Sequence, residues 1–213
     1  MSGEVYYENQ EFKRGYEELV KLYECAMYSV VTLLRNLKTE DEMSDSMFEL
    51  YHRIEFRIKS WESVCDKCTK KGLEPTKENI EANILDLAGV RVITLFEDDV
   101  YRVYGAVSHQ PSTRQLRKPR DYIKEPKENG YRGFHYNIEY SLYFNQRTVM
   151  IPVEIQIRDG GMALWGDLEH VLKYKNPNPS ERTVRVFRRL SKILAFFGKI
   201  AMQLRDQCIK NNS

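Results

Sequence analysis

The sequence lacks several features that would each assign it to a class. Only 4 cysteines occur in 213 residues, at Cys25, Cys65, Cys68 and Cys208, too few and too scattered for the disulfide framework of a small secreted domain. No basic-then-apolar leader opens the chain, and no apolar run approaches the ~20 residues that cross a bilayer. A reduced, cytoplasmic setting with no membrane partner is expected. Repeats, low-complexity segments and linker-like stretches are absent, which leaves one domain over residues 1–213. A dominant charge is missing too: 33 Lys and Arg stand against 31 Asp and Glu, for a net charge of +2. Attraction of the whole surface to polyanions is therefore excluded, and what matters is where positive charge gathers.

With 42% hydrophobic and 30% charged residues, the chain has the composition of a globular α/β or α+β domain. Residues 8–38 carry Phe12, Tyr16, Leu19, Tyr23, Ala26, Met27, Val30 and Leu34 at spacings of three and four, the period of a core-packing helix. A polar break is expected at 39–45, then a second helical start. Over 52–59, Ile54, Phe56 and Ile58 alternate with charged residues, as in a half-buried strand. Ser60 caps a helix over 61–71 that Gly72 closes. Ser63, Lys67 and Lys70 share one face of it and, with Arg57 and Lys59, suit a polyphosphate; a solvated basic face is the alternative. Cys65 and Cys68 form a CxxC with no second pair or nearby His, so neither a zinc nor a redox site is expected.

The run 84–96 reads as a central strand interrupted by Asp86 and Arg91. Such charges are costly unless paired with each other, bound to metal or turned to a ligand cleft. After a helix over 98–108, Arg114, Arg117, Lys118 and Arg120 follow with no acid among them, the strongest polyanion signal in the chain. The loop 121–135 then sets Lys124, Lys127 and Arg132 around a Pro/Asn/Gly turn and presents Tyr131 and His135. Cations, a flat ring and an imidazole together suit a nucleotide held by phosphates and base. Strands over 134–143 and 148–157 form a hairpin through Asn145-Gln146, and Glu154, Gln156 and Arg158 share one face of the second. A helix over 162–174 carries Glu169 and His170 as supporting residues. Asn-Pro-Asn-Pro at 176–179 stops it, and a last helix over 180–208 is expected to bury Phe187, Leu190, Ile193, Leu194, Phe197, Ala201 and Leu204.

The ordered set RIKSWESVCDKCTKKG, DLAGVRVI, DYIKEPKENGYRGFH, VEIQIRDGGMALWGDLEH and LKYK, within residues 48–175, resembles the synthetase domain of the RelA/SpoT family, and the length matches its stand-alone small alarmone synthetases. The resemblance implies a nucleotidyltransferase-like mixed sheet of about five strands between helices. It also implies transfer of the β,γ-diphosphate of ATP to a ribose 3′-hydroxyl. Position by position, it assigns Asp86 and Glu154 as magnesium ligands, with Glu154 also a candidate base. Arg57 and Arg91 would sandwich adenine, Arg91 counting among the catalytic residues. Lys59, Ser63, Lys67 and Lys70 would hold the donor phosphates. Tyr131 would stack on the acceptor base, with Lys127, Asn129, His135 and Gln156 near the acceptor.

Within this resemblance the acceptor is a guanosine nucleotide, as in alarmone synthesis, or the 3′ CCA end of tRNA, as in a toxic branch; an adenosine nucleotide also remains open. Gly133 stands where the family motif usually has Ser. The strip Arg114, Arg117, Lys118 and Arg120 would reward a long polyanion with counterion release, which tilts the expectation to tRNA, translation inhibition and an antitoxin partner. The alternatives are a synthetase of guanosine tetra- or pentaphosphate and an inactive nucleotide- or RNA-binding module, which would have lost Asp86, Arg91, Tyr131 or Glu154. A homo-oligomer is compatible with either active reading.

Overall fold

A computed structural model of the chain describes residues 3–44, 46–175 and 179–211. After a 3₁₀ turn at Gly3–Tyr6 come α1 (Gln10–Met43), β1 (Arg53–Ile58), α2 (Trp61–Lys70), α3 (Lys77–Asn83), β2 (Ala88–Thr94) and α4 (Asp99–Ser108). Then follow β3 (Thr113–Gln115), β4 (Arg120–Asp121), β5 (Phe134–Phe144), β6 (Arg147–Asp159), α5 (Gly160–Lys175) and α6 (Glu181–Asn211). The strands make one 6-stranded sheet in the order β1-β2-β6-β5-β3, with β4 also on β5. Among the described strands, β2 and β6 are the only neighbours that pair in parallel. The β5–β6 hairpin turns on Asn145 and Gln146, both at positive φ (49° and 61°), the backbone of the tight turn that matches strand twist.

Because side chains alternate across a strand, the register fixes the two faces. Val90, Ile155 and Tyr136 align across β2, β6 and β5, and so do Val92, Ile157 and Phe134. This face is apolar and takes α1, through Leu19, Ala26, Val30 and Leu34, and α4, through Val100, Val103 and Val107. The opposite face is polar and carries the residues of interest. A small second cluster joins Tyr131 to Met162 and Trp165 of α5 and packs against α6, and the Trp165 indole N–H donates to the Phe187 carbonyl at 3.0 Å.

Several expected elements differ. Helix α1 continues through the polar stretch 39–43, which holds no Gly or Pro to stop it and whose Asp41 accepts from Arg102 at 2.8 Å. The helical start expected after it is irregular chain. Helix α3 and the short edge strands β3 and β4 were not legible. Asp86 lies in the turn before β2 rather than inside the strand. The stripe expected to be buried along α6 is only partly so: Phe187, Leu190 and Leu194 pack on the second cluster, whereas Ile193 is 56%, Phe197 63% and Leu204 58% exposed. The C-terminal half of α6 runs past the small cluster that its N-terminal half covers. Of the Asn-Pro-Asn-Pro stop, residues 176–178 lie outside the described residues.

Ile155, at the sheet centre, has no exposure. Ile155→Ala is expected to lower stability by about 2–5 kcal/mol in urea unfolding, as a large-to-small change in a closed core does.

Candidate active site

Two cross-strand rows build the polar face. Glu55, Arg91, Gln156, His135 and Arg120 align across β1, β2, β6, β5 and β4, and Arg57, Gly89, Glu154 and Asn137 align beside them. The face opens into a cleft of about 680 Å³ lined by Arg57, Arg91, Tyr131, Arg158, Glu169 and His170, among others, a size suited to a small-molecule ligand. Beside Arg57 and Arg91, a 260 Å³ recess reaches Gly89. The missing side chain at Gly89 leaves a gap flanked by two guanidinium groups, an arrangement that receives a flat ring.

At one end, Asp86 is met by two lysines: Lys59 Nζ at 3.1 Å from Oδ2 and Lys67 Nζ at 2.6 Å from Oδ1. Lys59 leaves β1 and its carbonyl accepts from the Tyr16 hydroxyl at 2.8 Å; Lys67 rises from α2, which Ser60 caps by accepting from the Ser63 amide. Ser63 and Lys70 are exposed on the same helix. Arg91 does not pair with Asp86. It donates to Glu55 Oε2 at 2.8 Å, and its buried Nε has no partner among the described residues.

At the other end the polar groups close a ring. The Tyr131 hydroxyl lies 2.7 Å from His135 Nε2, and His135 Nδ1 lies 3.2 Å from Glu154 Oε1. Gln156 Nε2 donates to Glu154 Oε2 at 2.7 Å, Arg158 donates to Gln156 Oε1 at 2.8 Å, and the Arg158 guanidinium stands 4.8 Å over the Tyr131 ring. Burial alone would raise the Glu154 carboxyl. The bond and charge of His135, the Gln156 amide and the Lys67 ammonium outweigh it and hold the group at about 2. Burial also pushes the Tyr131 hydroxyl up and the Arg158 guanidinium down.

The structure thus gathers Arg57, Lys59, Lys67, Asp86, Arg91, Tyr131, His135, Glu154 and Gln156 on one face. Tyr131 is more enclosed than expected, at 6% exposure, with Lys127 Nζ also 4.8 Å from its ring centre. Asn129 serves the loop itself: its side chain accepts from the Tyr131 amide at 3.1 Å and donates to Glu169 at 2.8 Å. The basic strip is broken up. Arg114 pairs with Glu139 across β3 and β5, its Nε 2.8 Å from the carboxylate. Arg120 opposes His135 on the cleft face. Its pKa is raised first by Tyr122, against burial, with Glu154 and Asp86 adding. All four are exposed, and among the described residues Arg117 and Lys118, on the connecting loop, are the two with neither an ion pair nor a place on the cleft face.

Arg158 was not singled out as a binding residue, although its alternation with Glu154 and Gln156 already placed it on this face. Glu55 as the partner of Arg91 depends on strand register, which no local pattern carries. Cys65 and Cys68 are fully buried in the core, and burial, with Cys68 and nearby acids adding, pushes the Cys65 thiol up to about 12. That agrees with a packing role.

No group of three or more His, Cys, Asp or Glu gathers to hold a metal among the described residues, so an all-protein metal cage is not built. A magnesium site needs less: one or two carboxylates, with phosphate oxygens and water completing it. Asp86 and Glu154 are hard oxygen donors, Glu154 is held ionised, and both act on the single Arg120 guanidinium. The donor set fits.

The mixed sheet thus presents two carboxylates among cations and flat side chains on one face that opens into the cleft. Residues 56–179 match the family described as the region found in RelA/SpoT proteins. The chain belongs to that family. It is 40% identical to the GTP pyrophosphokinase YwaC of Bacillus subtilis over 122 residues, 57% of this chain and 58% of that protein. To the GTP pyrophosphokinase YjbM of the same organism it is 32% identical over 165 residues, 76% of this chain and 74% of that protein. It spans less than two thirds of the first relative's length and about three quarters of the second's. The small alarmone synthetase 1 of B. subtilis bound to its product pppGpp superposes with a TM-score of 0.82 at 27% identity, over 90% of this chain and 97% of that one. Among the described residues no helix is long and apolar enough to cross a membrane.

The depressed Glu154 value makes a pH prediction. An ionised group whose folded pKa lies below its unfolded value of 4.5 stabilises the fold above that value and ceases to as pH falls toward 2. Urea midpoints should therefore decline from about pH 5 downward, and less steeply in Glu154→Gln; parallel declines would contradict the assignment.

Proposed function

We propose that the chain is a pyrophosphokinase that transfers the β,γ-diphosphate of ATP to the 3′-hydroxyl of a guanosine nucleotide. The observation that carries this is the single polar face on which the lysine-bridged Asp86 end and the Tyr131–His135–Glu154–Gln156 end lie side by side. Two substrates can be held there with their reacting groups adjacent. The relatives named GTP pyrophosphokinase and the neighbour bound to pppGpp support guanosine over tRNA as acceptor. So does the strip, since Arg114 is engaged by Glu139 and Arg120 turns to the cleft, leaving Arg117 and Lys118. Retention of Asp86, Arg91, Tyr131 and Glu154 speaks against an inactive binding module.

In this reading Arg57 and Arg91 flank the donor adenine, and Lys59, Lys67, Ser63 and Lys70 take its phosphates. Lys59 and Lys67 leave Asp86 for those phosphates, which frees the Asp86 carboxylate. Asp86 and Glu154 would hold Mg²⁺, which when bound neutralises charge moving between phosphate oxygens. Tyr131 turns from its enclosed position to stack on the acceptor base, with Lys127, Asn129 and Gln156 bordering it. The acceptor 3′-oxygen bonds to the β-phosphorus, the bond from that phosphorus to the α,β-bridging oxygen breaks, and AMP leaves. Glu154 accepts the hydroxyl's hydrogen bond. Held near 2 in the free protein, it aligns the hydroxyl rather than capturing its proton, which passes to the oxygen of the departing AMP.

Incubation with ATP labelled in the γ-phosphate and either GDP, GTP or deacylated tRNA tests the reading. Label should enter the guanosine nucleotides and fall at least about a hundredfold in Asp86→Asn, the scale expected for loss of a charge that stabilises the transition state. Label in tRNA alone would overturn the guanosine assignment, and label in no product would overturn the transferase. Tyr131→Ala should raise the acceptor KM with little change in that for ATP, whereas Arg117→Ala/Lys118→Ala should leave both unchanged.

A further inference from the structure

A second cation-lined hollow lies outside the cleft, between the loop 126–132 and α6. It has a volume of about 430 Å³ and is lined by Lys127, Arg132, Arg188, Lys192 and Lys199, with Glu128 the one carboxylate on its wall. Arg188, Lys192 and Lys199 stand at i, i+4 and i+11, so one face of α6 carries all three. The loop is seated hard against that face. Arg188 Nε donates to the Glu128 carbonyl, Ser191 Oγ donates to the Gly130 carbonyl at 2.5 Å, and a Cβ on Gly130 would meet Arg188 Cα and Ser191 Cβ at 3.1 Å. Gly130, at φ +94°, is the residue that permits this approach.

The cations are unequally engaged. Arg132 pairs with Glu97 at 2.7 Å, and Lys127 lies over the Tyr122 and Tyr131 rings. Lys192 and Lys199 are exposed, and neither has a hydrogen bond or ion pair among the described residues. On a convex helix face such lysines would fan into solvent. Here they share a concavity with three further cations, where like charges focus a positive potential. Pro126, Ala195 and Phe196, the last 64% exposed, add an apolar edge with one free ring.

We propose that this groove is a second anion site that binds the polyphosphate chain of a small phosphorylated ligand, with Lys192 and Lys199 as its principal contacts. The loop it grips carries Tyr131, so occupancy steadies or shifts the acceptor end of the cleft. That consequence rests on the transfer reading; the binding itself does not.

Lysine acetylation read by peptide mass spectrometry tests it at residue resolution. GTP or inorganic tripolyphosphate should protect Lys192 and Lys199 several-fold relative to sodium chloride of matched ionic strength. Protection should persist in Lys59→Ala/Lys67→Ala, whose cleft is impaired. Equal protection by the two ligands identifies the phosphate chain alone as the determinant; stronger protection by GTP that Phe196→Ala abolishes identifies a nucleoside. Lys192→Gln/Lys199→Gln, added to that cleft variant, should weaken tripolyphosphate binding read by calorimetry about tenfold, as loss of charge-assisted hydrogen bonds does. No protection beyond salt, protection by a short RNA but by neither small ligand, or loss of protection in the cleft variant would each overturn the proposal. If the wild type transfers no diphosphate yet the lysines are protected, the transfer reading fails and the groove stands.

Discussion

The structure depends on keeping a charged sheet face half-buried without leaving its charges unpaired. A carboxylate and a guanidinium at the centre of a sheet each carry a desolvation cost that only close partners offset. Glu154 and Arg158 meet that demand through Gln156, which donates to one and accepts from the other, and through His135 and Tyr131, which complete the circuit. The opposite face needs no such arrangement, because α1 and α4 bury its Val and Ile side chains. One sheet therefore serves as core on one side and as site on the other.

In the proposed reading, the pairings among the cleft side chains stand where ligand contacts would form. Lys59 and Lys67 hold Asp86 where donor phosphates would compete for the lysines. Glu55 holds one edge of Arg91, whose buried Nε is unpaired among the described residues, and Lys127 and Arg158 cover the Tyr131 ring. In the proposed reading, each is exchanged for an electrostatic or cation–π contact of similar kind, so that substrate entry would swap partners rather than expose bare charge. The loop from Lys127 to Arg132 lies between this cleft and the groove on α6, and its seating by Arg188 and Ser191 ties the two together.

Much of this was legible because it is written in short periods. Alternation along β6 put Glu154, Gln156 and Arg158 together, the helical spacing put Ser63, Lys67 and Lys70 on one face, and Ser60 and Gly72 bounded their helix. Asp86 and Arg91 drew notice as charges in an apolar run, yet the salt bridge weighed between them does not exist: Asp86 turns to lysines and Arg91 to Glu55. Pairing across strands is set by register, which the local sequence does not display. The same limit hid Glu139, distant in sequence, as the partner of Arg114, and made the basic strip look freer than it is. On α6 the apolar period was real, but period alone does not say how far a neighbour extends beneath it.

Which bond of ATP breaks separates diphosphate transfer from single-phosphate transfer. In a single turnover with GDP, ion-exchange separation of the adenine nucleotides distinguishes the outcomes directly. The account predicts AMP, released in step with a guanosine product that has gained two phosphates. Release of ADP, with a single phosphate gained, would show an ordinary phosphotransferase and contradict it.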